Sequence, residues 1–185
     1  MRSAIAVIKI ALFFLWSLLC VPPQLVVLLF HRGKKAYLMP WIWHKGVCLI
    51  FRIKVQISGK PDQSKQTLYV SNHLSYLDIP AIGMVLRASF VAKKDVKNWP
   101  VFGFLSKMQQ TAFIDRNRKA AIQEKTSLSG MISDGKSLII FPEGTSTDGR
   151  EVLPFKSSLF SLALSDSDKS LCIQPFFISI LISAM

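Results

Sequence analysis

The sequence is poor in cysteine, and this limits the kinds of site it can form. Only three cysteines occur in 185 residues, in separate apolar runs, and no CxxC pair or Cys/His cluster has metal-ligand spacing. We therefore expect no zinc site and no disulfide framework. Cys20, Cys48 and Cys172 are predicted to be buried thiols in a reducing compartment. The sequence also lacks internal repeats and low-complexity tracts.

Acidic residues are scarce as well. Asp and Glu number 11 against 23 Lys and Arg, which gives a formal net charge of +12. Such a charge attracts nucleic acid, anionic lipid headgroups, phosphorylated substrates or acidic carrier proteins. Half of the residues are hydrophobic, and they concentrate at the N-terminus. This distribution favours a membrane partner, and we expect no nucleic-acid partner.

Residues 4–30 are almost wholly apolar, interrupted by Lys9 and by the Pro22-Pro23 pair. A cleaved signal peptide fits less well, because the apolar run continues past the prolines and no small-x-small cleavage site follows. Residues 10–30 suffice for one membrane span at ~20 residues per bilayer. The prolines also suit a kinked or re-entrant segment, so both arrangements remain open.

A basic cluster at 31–35 follows directly, and we expect it on the cytoplasmic side, in contact with anionic headgroups. Residues 37–51 then carry Trp41 and Trp43 among apolar residues, which fits either the membrane–water interface or an ordinary core helix. Residues 1–51 are therefore predicted to be a membrane-associating helical segment. Residues 52–185 are predicted to form a separate domain.

The pattern of short apolar runs predicts an α/β fold for that domain, with a mixed, largely central β-sheet flanked by helices. Ile53, Val55 and Ile57 alternate with polar residues, as in a half-buried strand. Longer segments with helical character, such as 119–133, lie between the runs. The runs themselves lie at 68–70, 90–92, 112–114, 138–141 and 171–177.

Polar residues cluster where three of these predicted strands end, at 71–78, 115–116 and 142–146. In open α/β sheets, ligands bind beyond the carboxyl ends of the strands. His73 and Asp78 could meet there if the chain turns between them, and a carboxylate on one imidazole nitrogen would let the other nitrogen take a proton. Alternatively, Ser75 and Asp78 form a helix capping box and His73 is structural.

The FPEGTS stretch at 141–146 can bind a polar ligand. Gly144 permits close approach of the backbone, and nearby N–H groups with the hydroxyls of Thr145 and Ser146 can hold a phosphate. Glu143 can bind a substrate hydroxyl or brace a basic side chain. Arg116 offers a guanidinium fork for phosphate. The alternatives are a plain strand-to-loop turn and a solvated charged turn.

Taken together and in this order, the three clusters resemble the glycerophospholipid acyltransferase family, which includes the 1-acylglycerol-3-phosphate acyltransferases. The His-x4-Asp block is matched by His73 and Asp78, the arginine block by 113–116, and the Phe-Pro-Glu-Gly-Thr-Ser block residue for residue at 141–146. A fourth, hydrophobic block is matched loosely around Pro175. The resemblance covers residues 52–178.

The resemblance implies a role for each site residue. His73 would be the general base and Asp78 its orienting partner, Arg116 would bind the acceptor's phosphate, and Glu143 with Gly144 would position the acceptor. The implied substrate-binding set comprises Asn72, Arg116, Glu143, Gly144, Thr145 and Ser146.

The resemblance also implies the substrates. The donor would be a fatty acyl thioester on coenzyme A or acyl carrier protein, and no metal or other cofactor would be needed. The acceptor would be a lysophospholipid, with 1-acylglycerol-3-phosphate preferred over a lyso-aminolipid. The active site would lie on the cytoplasmic face of a membrane.

Two other classes of function remain open. Ser71 and Ser75 lie near His73 in sequence, as a serine hydrolase would need, although no Gly-x-Ser-x-Gly elbow is present. The sequence stops ten residues after Pro175, whereas family members usually continue. We therefore expect a C-terminally shortened domain, which also suits a non-catalytic lipid-binding protein.

Overall fold

The structure is a computed structural model that describes residues 2–114, 130–132, 134–156, 160 and 171–179. Two long helices precede a domain of short strands and helices. The α-helices are α1 (Arg2–Phe30), α2 (Leu38–Phe51), α3 (Asp78–Gly83) and α4 (Phe102–Met108), with 3-10 turns at Gly33–Tyr37 and Lys94–Asn98. The strands are β1 (Thr67–Ser71), β2 (Ser89–Lys93), β3 (Ala112–Ile114), β4 (Leu138–Ile140) and β5 (Cys172–Phe176).

The five strands form one sheet in the order β3-β2-β4-β1-β5, and every strand pair in it is parallel. The central strands β1, β2 and β4 are short and mostly buried, as parallel sheets require, whereas the edge strand β5 is half-buried and Ile173 in it is exposed. One face buries Leu68, Leu138 and Ile140, and the other buries Tyr69 and Ile139. The prediction of an α/β fold with a central sheet flanked by helices is confirmed.

The five predicted strand positions are confirmed, because β1 to β5 all fall on the predicted runs. The prediction of a strand at Ile53, Val55 and Ile57 is wrong. This stretch is irregular, and Ile57 is exposed. Alternation alone did not make a strand here, because no strand among the described residues pairs with this stretch. The predicted helix at 119–133 lies almost entirely outside the described residues.

Helix α1 is continuous from Arg2 to Phe30 with Pro22 and Pro23 inside it, so the helix does not end at the prolines. By length and composition, its Ser3–Phe30 part can cross a membrane. One face of α1 is buried, at positions spaced three or four residues apart. These positions are Phe13, Ser17, Cys20 and Gln24. Residues 3–12 have no buried member.

Polar contacts fix α1 and α2 to the rest of the molecule. The Gln24 amide donates to the carbonyls of Ala36 (3.0 Å) and Met108 (2.8 Å). The Trp43 indole of α2 donates to the Ser17 hydroxyl of α1 at 3.0 Å. Trp43 is therefore a packing residue between the helices, as the core-helix interpretation of this segment expects.

The direction of α1 follows from its contacts with α4. Gln24 meets the end of α4, which leads into the amino edge of the sheet, whereas Phe13 contacts Phe102 at the start of α4 with ring centroids 6.2 Å apart. Helix α1 therefore runs along the domain with its N-terminal end toward the carboxyl edge of the strands. At 1.5 Å per residue, residues 3–12 extend about 15 Å past this contact.

The cysteines are free thiols. Cys20 and Cys48 are buried, as predicted, whereas Cys172 in β5 is only half-buried. Burial raises the pKa of Cys48 to about 11, which keeps it protonated and unreactive at neutral pH.

Candidate active site

Two of the polar clusters come together because β1 and β4 are neighbouring parallel strands. Their carboxyl ends lie side by side, so the loop that follows β1 meets the loop that follows β4. His73 and Asp78 lie on the first loop, and Glu143 and Gly144 lie on the second. The backbone N–H of Thr147 donates to the His73 carbonyl at 2.9 Å and joins the two loops.

His73 and Asp78 form a direct hydrogen bond. The His73 Nδ1–H donates to Asp78 Oδ2 at 2.7 Å, with 15% of the His73 side chain and 2% of the Asp78 side chain exposed. The contact fixes the tautomer with the proton on Nδ1. Nε2 bonds to no described residue, and a reacting hydroxyl can therefore approach it.

The same carboxylate oxygen also shapes the loop. Asp78 Oδ2 accepts the backbone N–H groups of Leu74 at 2.7 Å and Ser75 at 3.0 Å. The Ser75 contact is one arm of the capping box that the sequence suggested, whereas the Ser75 hydroxyl accepts from Leu77 N–H at 3.1 Å. The bond to His73 and the capping contact therefore share one carboxylate, and α3 begins at Asp78 itself.

An aromatic side chain holds the other side of the imidazole. The Phe141 ring stacks on the His73 ring with centroids 4.1 Å apart and planes 15° apart. Phe141 is the first residue of the FPEGTS stretch, so this stretch supports His73 directly as well as forming a loop. Sequence reasoning did not give Phe141 this role, although its place at the end of a buried strand was a usable signal.

The remaining residues of the second loop differ in burial: Glu143 and Gly144 are buried, and the two hydroxyl residues that follow are exposed. Glu143 is buried, and its carboxylate accepts the backbone N–H of Leu153 at 3.0 Å. Gly144 has a φ of 72°, a value that favours glycine, and it closes a turn through its N–H bond to the Phe141 carbonyl at 2.9 Å. Thr145 and Ser146 are exposed beside it.

Asn72 has a structural contact in addition to its predicted binding role. Its side-chain amide donates to the Ile178 carbonyl and accepts the Ile178 N–H, both at 2.8 Å. This pair continues the pairing between β1 and β5 by one more step. The start of the His73 loop is thereby fixed to residues that lie more than a hundred positions later.

Asp115 and Arg116 of the arginine block lie outside the described residues, whereas Phe113 and Ile114 belong to β3. The described part of β3 ends at Ile114, on the same carboxyl edge as the site. In the strand order, β3 is three positions from β1, which corresponds to about 14 Å. The predicted phosphate contact of Arg116 therefore remains a prediction.

The serine side chains near His73 do not favour a nucleophile. The Ser71 hydroxyl donates to the Asn72 carbonyl at 2.9 Å, and the Ser75 hydroxyl bonds the backbone of Leu77. Among the described residues, neither serine contacts the His73 ring, as nucleophilic activation would require. Within that same part of the chain, no group of three or more His, Cys, Asp and Glu is arranged to hold a metal ion.

Comparison with known proteins agrees with this geometry. The family described as "Acyltransferase" matches residues 52–179, which is more than half of the chain and includes both loops of the site. The chain belongs to this acyltransferase family. The resemblance inferred from the sequence blocks is confirmed.

Relatives of the chain in this acyltransferase family have two kinds of name. A lyso-ornithine lipid O-acyltransferase from Rhizobium meliloti is 35% identical over 168 residues, which are 88% of this chain and 57% of that protein. A 1-acyl-sn-glycerol-3-phosphate acyltransferase from Neisseria meningitidis is 34% identical over 70% of this chain and 51% of its own length. The chain thus spans somewhat over half the length of these relatives.

A solved structure supports the fold. The 1-acyl-sn-glycerophosphate acyltransferase PlsC from Thermotoga maritima superposes with a TM-score of 0.63 and 19% sequence identity, covering 96% of this chain and 84% of that chain. The likeness extends over the N-terminal helices as well as the sheet. It establishes the fold of this acyltransferase and nothing finer.

Proposed function

We propose that the protein transfers a fatty acyl group from an acyl thioester to the free hydroxyl of a lysolipid. The observation that carries the proposal is the His73–Asp78 hydrogen bond, which leaves Nε2 open at the carboxyl edge of a family-matched domain. A carboxylate behind the imidazole stabilises its protonated form, so Nε2 acts as a general base.

The proposed reaction balances without a covalent enzyme intermediate. His73 Nε2 takes the proton of the acceptor hydroxyl as its oxygen attacks the thioester carbonyl carbon. The tetrahedral intermediate collapses with cleavage of the carbon–sulfur bond, and the thiolate leaves with the proton that His73 returns. Phe141 and Asp78 hold the ring in one orientation throughout, which lowers the entropic cost of the step.

The headgroup of the acceptor is the finer question. We propose Thr145, Ser146 and the Gly144 turn as its contacts, because the two residues are exposed on the loop whose Thr147 N–H bonds the His73 carbonyl. The four curated relatives named lyso-ornithine lipid O-acyltransferases are 32–39% identical to the chain. Lyso-ornithine lipid is therefore the first acceptor to test, and 1-acylglycerol-3-phosphate is the second.

The donor is proposed to be acyl coenzyme A or acyl carrier protein, because both are acidic and the chain carries a net charge of +12. We also propose that the site works at a membrane. The free N-terminal turns of α1 are apolar and extend beyond the edge of the sheet that holds His73. Their insertion would bring that edge to the lipid surface.

The experiment is a panel of radiolabelled lysolipids assayed with both thioester donors in mixed vesicles, using the full chain and its His73→Ala variant. We expect one acceptor to be converted to its diacyl form, with kcat reduced by up to about 10⁴-fold in the variant. Arg150→Ala serves as the matched control, because Arg150 lies on the same loop edge and is exposed. Folded protein that converts no acceptor with either donor would refute the proposal.

A further inference from the structure

One turn of the domain exposes a contiguous run of large apolar side chains, whereas other exposed apolar residues, such as Val152 and Phe177, lie outside it. The stretch 99–104 contains the link that follows the second 3-10 turn and the first three residues of α4, and we refer to it as the 99–104 turn. All of its residues except Gly103 are exposed, and its large apolar members are Trp99, Val101, Phe102 and Phe104. Contiguous exposed apolar groups of this kind mark an interaction surface rather than an ordinary solvated loop.

The turn contains a strained backbone conformation at Val101. Val101 has φ 58° and ψ −60°, and the Phe102 N–H donates to the Pro100 carbonyl, which together form a γ-turn that a β-branched residue rarely adopts. A Cβ on Gly103 would lie 2.5 Å from the Lys97 carbonyl oxygen, so the turn is packed tightly on its own preceding residues. The structure thus fixes the apolar side chains outward instead of letting them fold back.

The turn lies between the active site and α1. The Trp99 ring contacts the Tyr76 ring with centroids 6.0 Å apart, and Tyr76, which is 71% exposed, is on the His73 loop. On the other side, Phe102 contacts Phe13, which is the first buried residue of α1 after its exposed N-terminal turns. The turn therefore continues the apolar surface of α1 up to the mouth of the site.

The charges around the turn suit a lipid surface. Lys93, Lys97 and Lys107 are exposed on the segments that flank it, and Asp95 is the one acidic residue between 93 and 108. An apolar aromatic tip with a rim of lysines is the pattern of a segment that lies in the headgroup region of a bilayer.

We infer that the 99–104 turn is a second bilayer-inserting element, distinct from α1, that seats the mouth of the active site in the acyl-chain boundary of the membrane. This inference rests on the membrane association proposed above. With α1 and the turn both inserted, the domain is held at two points, and the Tyr76 side of the site faces the lipid.

The experiment measures depth and needs no turnover. The full chain is reconstituted into vesicles of phosphatidylglycerol and phosphatidylcholine with bromines placed near the glycerol end of the acyl chains, and its fluorescence is compared with that of Trp99→Phe. We expect the difference signal, which reports Trp99 alone, to lose about half of its intensity, since such elements insert about 5–10 Å. Iodide in the water should quench it little.

Two further variants distinguish insertion of the 99–104 turn from non-specific contact of any exposed apolar residue with the vesicles. In the Trp99→Phe background, Phe104→Trp places a reporter on the same turn, and Ile57→Trp places one at an exposed apolar position outside it. We expect bromolipid quenching of the first and iodide quenching of the second. Equal bromolipid quenching of both would overturn the inference, because the turn would then contact lipid no more than an unrelated exposed apolar position does.

Three other results would contradict the inference or the membrane association on which it rests. Protein that floats with the vesicles but keeps Trp99 accessible only to iodide overturns this inference and leaves the proposed function standing. Protein that does not float contradicts the proposed membrane association itself. If acyl carrier protein without lipid shields Trp99 from iodide while bromolipid does not quench it, the turn binds the carrier and the inference is wrong.

Discussion

Two histidines in this molecule each bond a side-chain oxygen through one ring nitrogen, at opposite edges of the sheet. His73 bonds the Asp78 carboxylate at 2.7 Å, and His44 bonds the Gln109 amide oxygen at 2.9 Å. His73 is partly exposed with Nε2 open, whereas His44 is buried and its Nδ1 has no partner among the described residues.

The difference shows what makes a histidine a usable base. Burial lowers the pKa of His44 to about 4, and its bond to Gln109 offsets only part of that effect, so this ring stays neutral. A histidine that acts as a base needs a partner that stabilises its imidazolium form and a ring nitrogen that a substrate can reach. The buried His44, which bonds a neutral amide, has neither. His73 has a carboxylate partner and an open Nε2.

The two sites are joined by α3. Its first residue, Asp78, holds His73, and its last residue, Gly83, lies against the His44 ring. A Cβ on Gly83 would lie 2.3 Å from His44 Cδ2. The buried histidine therefore supports the short helix that begins with Asp78.

The largest expected effect comes from giving His73 the kind of partner that His44 has. In Asp78→Asn, an amide oxygen can still accept the loop N–H groups but cannot stabilise the imidazolium. We expect kcat to fall by about 10²–10³-fold in the acyl-transfer assay with a smaller change in thermal stability. Asp62→Asn is the control, because the carboxylate of the half-buried loop residue Asp62 accepts the same kind of local bonds, from the backbone N–H and the hydroxyl of Ser64. An unchanged kcat in Asp78→Asn would remove the carboxylate from the mechanism.

The next effect tests the neutrality of His44 through pH. Its pKa is lowered from 6.5 to about 4 in the folded state, so the unfolded chain takes up its proton first as the pH falls. Stability from this group is therefore complete above about pH 6.5 and is lost toward pH 4, by on the order of 3 kcal/mol. Chemical unfolding of wild type and His44→Gln between pH 7.5 and pH 4.5 measures the difference.

The control for that comparison is His31→Gln, because His31 is exposed just after α1. It should follow the wild-type curve. If His44→Gln loses stability with falling pH as steeply as wild type does, His44 is not the buried neutral group described here.

The smallest expected effect connects the two sites. Gly83→Ala forces the new methyl group against the His44 ring, and we expect a loss of about 1–3 kcal/mol of stability with a several-fold fall in kcat as α3 shifts. Gly130→Ala is the matched control, because a Cβ there meets nothing within 4 Å. A fall in stability with unchanged kcat would show that α3 transmits no displacement to Asp78.

Local sequence patterns were enough to predict the five strands and the meeting of the loops that follow β1 and β4. The apolar runs that became β1 and β4 have clear ends, and the polar residues after them had to share the carboxyl edge once the sheet was parallel. The capping box at Ser75 and Asp78, which the sequence analysis set against the His73–Asp78 pairing, occurs together with it in the structure.

Contacts between distant residues were beyond such reasoning. Nothing near Asn72 indicates that its amide is bonded to Ile178, and nothing near His44 indicates Gln109 or Gly83. His44 looks like an ordinary helix residue in the sequence. Pro22 and Pro23 suggested a break, yet α1 continues because its buried face packs against α2 and α4 on both sides of them. Tertiary packing decided each of these cases.

The pairing of β1 has a consequence for the order in which the protein forms. β1 lies between β4 and β5, and its partners are synthesised roughly 70 and roughly 105 residues later. Helix α1 has by then left the ribosome. The apolar N-terminus has therefore left the ribosome before His73 acquires its sheet, so the His73–Asp78 site is completed after the segment that is proposed to enter the bilayer.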